Sequence, residues 1–239
     1  MTSRLPAHPP KLIFTTPSHQ FPTGVVLPAK RRIELLQYAR EQNAYVVEDD
    51  YDSEFNFDGS PITSMQFLNP EHVIYVGTFS KTFMPSLRIG YMVLPDSLCE
   101  QMGNIKYVAD LHSPILEQLA MAAFLESGQF ERQIRRMGKL YRRKRDLLIQ
   151  CLKETFGEQI EFMGANSGLH FVAKFPSVTI TEEQIKVLAD LGVEIGTIKK
   201  HYARITTKEL TDHGLLMGYG NLHMEDIEEG VSILAKVLK

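Results

Sequence analysis

Three-layer α/β architecture followed by a smaller C-terminal α+β domain is the fold class this sequence predicts, on three observations. Short apolar segments rich in β-branched and aromatic residues alternate with longer amphipathic ones through the first hundred residues, the pattern of strands joined by helices across a parallel or mixed sheet. A long helical stretch then separates this half from a second set, in which strands occur with flanking helices. The chain has 239 residues, 44% of them apolar, enough to bury a sizeable core in one large or two modest domains.

The elements follow in order. A proline-rich lead contains no hydrophobic signal-peptide core. Residues 12–16 read as a strand that ends at the loop 19–24, and Pro28 is placed to start a helix carrying Ile33, Leu36 and Ala39 on its apolar side. Further strands are predicted at 44–47, at 72–76 and near Tyr91. From 114 to 156 the pattern is helical, with Phe130, Ile134, Met137, Tyr141 and Leu148 forming one stripe. Residues 160–164 and 169–175 then read as strands, 182–191 as a helix, 215–219 as a strand and 224–238 as the closing helix.

Chemistry concentrates in two loops. Lys81 lies in Gly77-Thr78-Phe79-Ser80-Lys81, just past the strand at 72–76, so its loop leaves the carboxyl end of a strand, where α/β sheets bind ligands. Thr78 and Ser80 offer hydroxyl donors and Arg88 a planar cation, a set suited to a phosphate monoester. An amine beside a phosphate site suggests pyridoxal 5′-phosphate. The second loop, Glu48-Asp49-Asp50-Tyr51-Asp52-Ser53-Glu54-Phe55, follows the strand at 44–47. Side chains alternate along extended backbone, so Asp49 and Tyr51 project to one side. The same cofactor needs a carboxylate at its pyridine nitrogen and a phenol at its ring 3-oxygen. Alone, this segment also reads as an acidic loop capping the next element; the agreement with Lys81 and Arg88 favours the cofactor.

Together with Ser18-His19-Gln20-Phe21-Pro22-Thr23-Gly24, these motifs resemble fold-type I aminotransferases. More closely they resemble the aminotransferase-like effector domains of MocR/GabR-type bacterial regulators, which join a GntR-type winged helix to such a domain and sense γ-aminobutyrate, taurine, a D-alanyl dipeptide or the cofactor itself. The resemblance spans nearly the whole chain. It implies that Lys81 forms an internal aldimine with pyridoxal phosphate, that Asp49 contacts the pyridine nitrogen and Tyr51 the 3-oxygen, and that Thr78, Ser80 and Arg88 hold the phosphate. It also implies a homodimer, a cytoplasmic setting, and DNA contact only through a winged helix outside this chain. On this likeness residues 1–125 are the later part of the cofactor-binding domain and 126–239 the inter-domain helix with the small domain, the start of the large domain and the DNA-binding domain being absent.

Two departures from the enzymes separate sensing from catalysis. Phe21 stands where aminotransferases carry an asparagine that donates to the cofactor ring oxygen. Thr211-Asp212-His213-Gly214, before the last predicted strand, lacks the arginine that clamps a substrate carboxylate in the enzymes. Arg204 is the only arginine after Arg145, so a bidentate carboxylate clamp would use it or be replaced by a Lys, a His or backbone donors. Arg204, His170 and Phe21 are therefore the expected effector contacts, with His170 equally readable as a buried, satisfied histidine, and no catalytic residue is assigned. The implied function is a sensor domain that binds an amino acid, ω-amino acid or dipeptide as an external aldimine; the alternative is an aminotransferase using Lys81 as its proton-transfer base.

The remaining features set bounds. A formal net charge of −3 gives no general attraction to nucleic acid. Arg132, Arg135, Arg136, Lys139, Arg142, Arg143, Lys144 and Arg145 read first as the solvated face of a long helix, without the helix-turn-helix or aromatic interleaving of a sequence reader. Cys99 and Cys151 show neither metal-ligand nor disulfide spacing, and the histidines other than His170 show no metal geometry.

Overall fold

Four strands form the first sheet in the order β1-β2-β3-β4: Leu12–Thr15, Tyr45–Asp50, Val73–Thr78 and Gly90–Val93. The computed structural model describes residues 8–57, 63–202 and 212–239, and its residues divide into two units. The first takes those within 1–20, 26–54 and 60–135; the second takes those within 21–25, 55–59 and 136–239. In the first unit β1, β2 and β3 are parallel and β4 is antiparallel, so the sheet is mixed.

Register decides which face is buried. Ile13 is level with Val46 and Val46 with Val73, so these three share one face, against which α1 (Ala29–Glu41) sets Leu35, Leu36 and Ala39. On this core side Arg32, also buried, donates from its guanidinium to the carbonyls of Pro17, Leu27 and Thr63 at 2.9–3.2 Å. Beside it, buried Glu48 accepts the Met65 and Gln66 N–H groups, both at 2.9 Å, at the start of the one-turn helix α2 (Met65–Leu68). Burial pushes the Glu48 carboxyl up, and these two donors oppose that shift. Glu48 thereby ties β2 to α2 and, with Arg32 Nη1 3.6 Å from its Oε1, to α1. On the other face, Phe14 is 67% and Met92 48% exposed.

Helices α3 (Asp96–Asp110) and α4 (Ile115–Glu126) precede α5 (Gln129–Phe156). The stretch predicted as helical from 114 to 156 thus contains a break after Ser127, where Gly128 takes φ +66°, a conformation glycine adopts without strain. Helix α3 was not among the predicted elements.

The second unit has an antiparallel sheet, β5-β6-β8-β7, from Glu161–Met163, His170–Lys174, Gly214–Gly218 and Gly196–Thr197. The central strands β6 and β8 bury Phe171, Val172, Ala173 and Leu215. Helix α5 contributes Leu148, Leu152 and Phe156, α6 (Glu182–Asp190) Leu188, and α7 (Asp226–Leu238) Ile227, Val231 and Leu234. Thr181 and Gln184 form a reciprocal capping box at the start of α6. Strand β7, with two residues, is too short to leave a period in the sequence.

The expectation of one solvated basic face on α5 needs correction at its last two members. Lys144 is buried and donates to the Gly220 carbonyl at 2.9 Å. Arg145 is buried too, donating to the Ala165 carbonyl at 3.0 Å with its guanidinium carbon 4.8 Å from the Phe57 ring centre. A charged head with a long apolar stem satisfies both requirements when carbonyls are within reach.

Candidate functional site

Parallel strands β1, β2 and β3 are neighbours, so the segments leaving their carboxyl ends emerge side by side. These segments carry His19, then Asp49 to Asp52, then Thr78 to Arg88. Alternation along β2 sends Glu48 and Asp50 to the helix-covered face and Asp49 to the other. Asp50 accepts from Ser53 Oγ at 2.7 Å and from the Tyr75 hydroxyl at 2.9 Å. Among the described residues Asp49 has no hydrogen-bond or ion-pair partner. Burial, then the charges of Asp50 and Asp52, hold its carboxyl above the ordinary aspartate range.

Tyr51 is tied down differently. Its hydroxyl donates to the His19 carbonyl at 2.8 Å, and burial, followed by the charges of Asp52, Asp49 and Asp50, pushes its pKa well above that of a free phenol. The phenol stays protonated, with its single proton directed at His19. A further oxygen near Tyr51 would receive that proton only if the bond to His19 opened. Both His19 and Asp52 are 1% exposed, with His19 Nδ1 2.9 Å from Asp52 Oδ2, so Nδ1 carries the hydrogen and Asp52 fixes the ring. Sequence reasoning gave neither residue a role, because a contact across 33 positions leaves no periodic trace.

The Lys81 loop is anchored by aromatic rings. Tyr91 lies 6.1 Å from Tyr75 and 5.5 Å from Phe79, Phe79 meets Phe130 edge-on at 5.8 Å, and Phe83 lies 4.8 Å from Phe124, all as ring centroids. Glycine at position 77 lets the Tyr91 ring lie against β3, since a Cβ there would overlap that ring unless it shifted. The loop is closed by Phe79 N–H to the Ile89 carbonyl at 3.1 Å, and Ser80 N–H donates to Thr78 Oγ1 at the same distance. Lys81 and Arg88 are exposed, and neither has a hydrogen-bond or ion-pair partner among the described residues. Arg88 adopts the left-handed conformation, φ 54° and ψ 34°, uncommon for a residue with a side chain and a frequent mark of a functional position.

In the second unit, His170 is buried, with Nε2 3.1 Å from the Pro22 carbonyl, to which it donates. Phe21 meets the His170 ring edge-on at 5.5 Å and the His201 ring at 4.8 Å. The structure thus joins two of the three expected effector residues and adds His201, which the sequence did not single out. The third, Arg204, lies outside the described residues. Asp212, in the segment without the clamp arginine, has its carboxylate 3.9 Å from Lys199 Nζ.

A family model for class I and II aminotransferases matches residues 3–213. The chain belongs to this family. Among its relatives, the HTH-type transcriptional regulator YhdI of Bacillus subtilis is 41% identical over 94% of this chain and 47% of its own length. A probable rhizopine catabolism regulatory protein, MocR, of Rhizobium meliloti is 31% identical over 94% and 45%. The α-aminoadipate aminotransferase LysN of Thermus thermophilus, solved with N-(5′-phosphopyridoxyl)-L-leucine, superposes with a TM-score of 0.84 at 28% identity, over 96% of this chain and 59% of its own. The chain spans about half the length of the curated relatives it matches. The fold is that of the fold-type I transferases, and the cofactor this family indicates is pyridoxal 5′-phosphate.

The residues present fit that group. Among the described residues Asp49 is a carboxylate of raised pKa without a partner, which a cationic ring nitrogen would stabilise, and Lys81 and Arg88, exposed and likewise without a partner, could take an aldehyde and a phosphate. Among the described residues, no helix is long and apolar enough to cross a membrane.

Proposed function

We propose that this chain is the effector-sensing domain of a transcriptional regulator, which takes up a primary-amine ligand, whether amino acid, ω-amino acid or dipeptide, through pyridoxal phosphate. The observation that carries it is the complementary imbalance at the strand ends: among the described residues, a carboxylate of raised pKa on β2 and two cations in the loop after β3 have no partner. Asp49 would hold the proton on the pyridine nitrogen. Lys81 would supply the amine that anchors the cofactor, Thr78, Ser80 and Arg88 would hold its phosphate, and Tyr51, set by His19 and Asp52, would sit at the ring 3-oxygen. When bound, the cofactor supplies an aldehyde carbon that condenses with primary amines and a ring that withdraws electrons.

Sensing rather than turnover is supported by the relatives named as regulators and by two residues. Phe21 removes a donor at the ring oxygen, and Asp212 lies in the segment where the enzymes place a carboxylate-clamping arginine. A loosely oriented ligand forfeits orders of magnitude in rate. Phe21, His170 and His201, with Arg204, are the proposed ligand contacts. In a regulator of that kind a winged-helix module would contact DNA, with the effector domains paired as a homodimer in the cytoplasm.

The competing reading, an aminotransferase, draws on the close superposition on LysN. Mixing the cofactor-loaded chain with a panel of amino acids, ω-amino acids and dipeptides, followed by absorbance, separates the two. A ligand-dependent spectral change without keto-acid formation is expected. Sustained turnover on the order of 1 per second or more, as in enzymes, would overturn sensing in favour of catalysis.

A further inference from the structure

Helix α5 presents a row of cations that the cofactor site does not use. Between Arg132 and Arg145 the sequence holds no acidic residue, and Arg132, Arg135, Arg136, Lys139, Arg142 and Arg143 are all exposed. At 3.6 residues per turn they fall within an arc of about 120°. Asp146, the nearest carboxylate beyond them, is already engaged at 2.7–2.8 Å by Arg145. Lys139, Arg142 and Arg143 make no ion pair among the described residues. The arc is held in place from behind, because Lys144 and Arg145 bond to backbone carbonyls and Leu148 and Leu152 are buried.

We propose that this face of α5 binds the phosphate backbone of duplex DNA, giving the effector domain a second, sequence-independent contact beside the winged helix. The inference rests on the regulator reading for its biological setting. From Arg132 to Arg143 the helix runs ~16 Å, a length over which a duplex carries on the order of ten phosphates. Arginine forks match phosphate oxygens bidentately. The chain as a whole carries a formal charge of −3, so attraction to DNA has to be local to this row. Phosphate contacts position a protein without reading bases. By releasing counterions, they also make affinity steeply salt-dependent.

Fluorescence anisotropy of this chain with labelled duplexes of two unrelated sequences, at several salt concentrations, tests the proposal. Equal binding to both sequences is expected, falling with salt. The triple variant Lys139→Gln/Arg142→Gln/Arg143→Gln should reduce the slope of log affinity against log salt by two to three. Lys186→Gln/Lys236→Gln, at exposed cations elsewhere, should leave the slope unchanged. Circular dichroism melts confirm that both variants fold. No binding at low salt, an unchanged slope in the triple variant, or tighter association with anionic phosphatidylserine vesicles than with duplex would each overturn it. The amine panel reads the sensor proposal separately, so either can fail while the other stands.

Discussion

Replacing Asp49 with asparagine should move two measurements in opposite directions. In the cofactor-free chain the Asp49 carboxyl sits above its ordinary range because of burial and the nearby charges of Asp50 and Asp52. A carboxylate whose folded pKa exceeds its unfolded value binds protons more tightly when folded. Its ionisation therefore opposes folding at every pH above the folded value, and that penalty vanishes once pH falls below the unfolded range near 4. Asp49→Asn removes the charge and keeps the shape, so the cofactor-free variant should melt higher than the parent at pH 7, with the gap closing as pH falls below that range. Cofactor binding should suffer instead. A hydrogen bond to a charged group is worth about 1.5–3 kcal/mol, which corresponds to an affinity for pyridoxal phosphate weaker by roughly 10- to 150-fold. Differential scanning fluorimetry without cofactor, at pH 4 and 7, reads the first arm; absorbance titration with pyridoxal phosphate reads the second. A variant that melts no higher than the parent at pH 7, or binds the cofactor equally well, would refute the assignment of Asp49 as the carboxylate waiting for a ring cation.

Lys81→Ala should abolish the adduct trapped by borohydride while changing stability by no more than about 0.5 kcal/mol, since the side chain is exposed; peptide mapping that finds the pyridoxyl group on another lysine would defeat the assignment. Gly77→Ala places a methyl against the Tyr91 ring and should destabilise the chain by about 1–3 kcal/mol in a thermal melt; a neutral result would mean that Tyr91 does not anchor the loop. Asp52→Ala strands the buried His19 Nδ1–H and should cost about 1–3 kcal/mol, whereas Asp52→Asn, which keeps an acceptor, should lose less; denaturant titration compares the two, and equal losses would exclude the hydrogen bond as the cause.

Much of this architecture was legible in the linear sequence, for local reasons. Strand β2 and helices α1 and α7 have apolar periods set by one buried face, and β6 is a short apolar run buried on both faces; either signal is written in consecutive residues. The proposed cofactor motifs could be put forward from sequence because each half-site is a short run: Asp49 and Tyr51 alternate on one strand exit, and Thr78, Ser80 and Lys81 follow another. The break after Ser127 was missed because apolar residues continue on both sides of it, so the helical period does not lapse. β7 was missed because two residues hold no period.

What only the tertiary structure decided were relationships across long separations. The sequence lists Lys144 and Arg145 with six other cations as one solvated row; that these two turn inward depends on the Gly220 and Ala165 carbonyls, 76 and 20 positions away. The buried His19–Asp52 pair, the carbonyl that claims the Tyr51 proton, and the Phe21–His170–His201 ring cluster are likewise contacts between distant segments. Composition and spacing determine which chemistry the chain can carry. Where each donor is spent and which charges are left without a partner follow from burial and strand register, and those are properties of the folded chain alone.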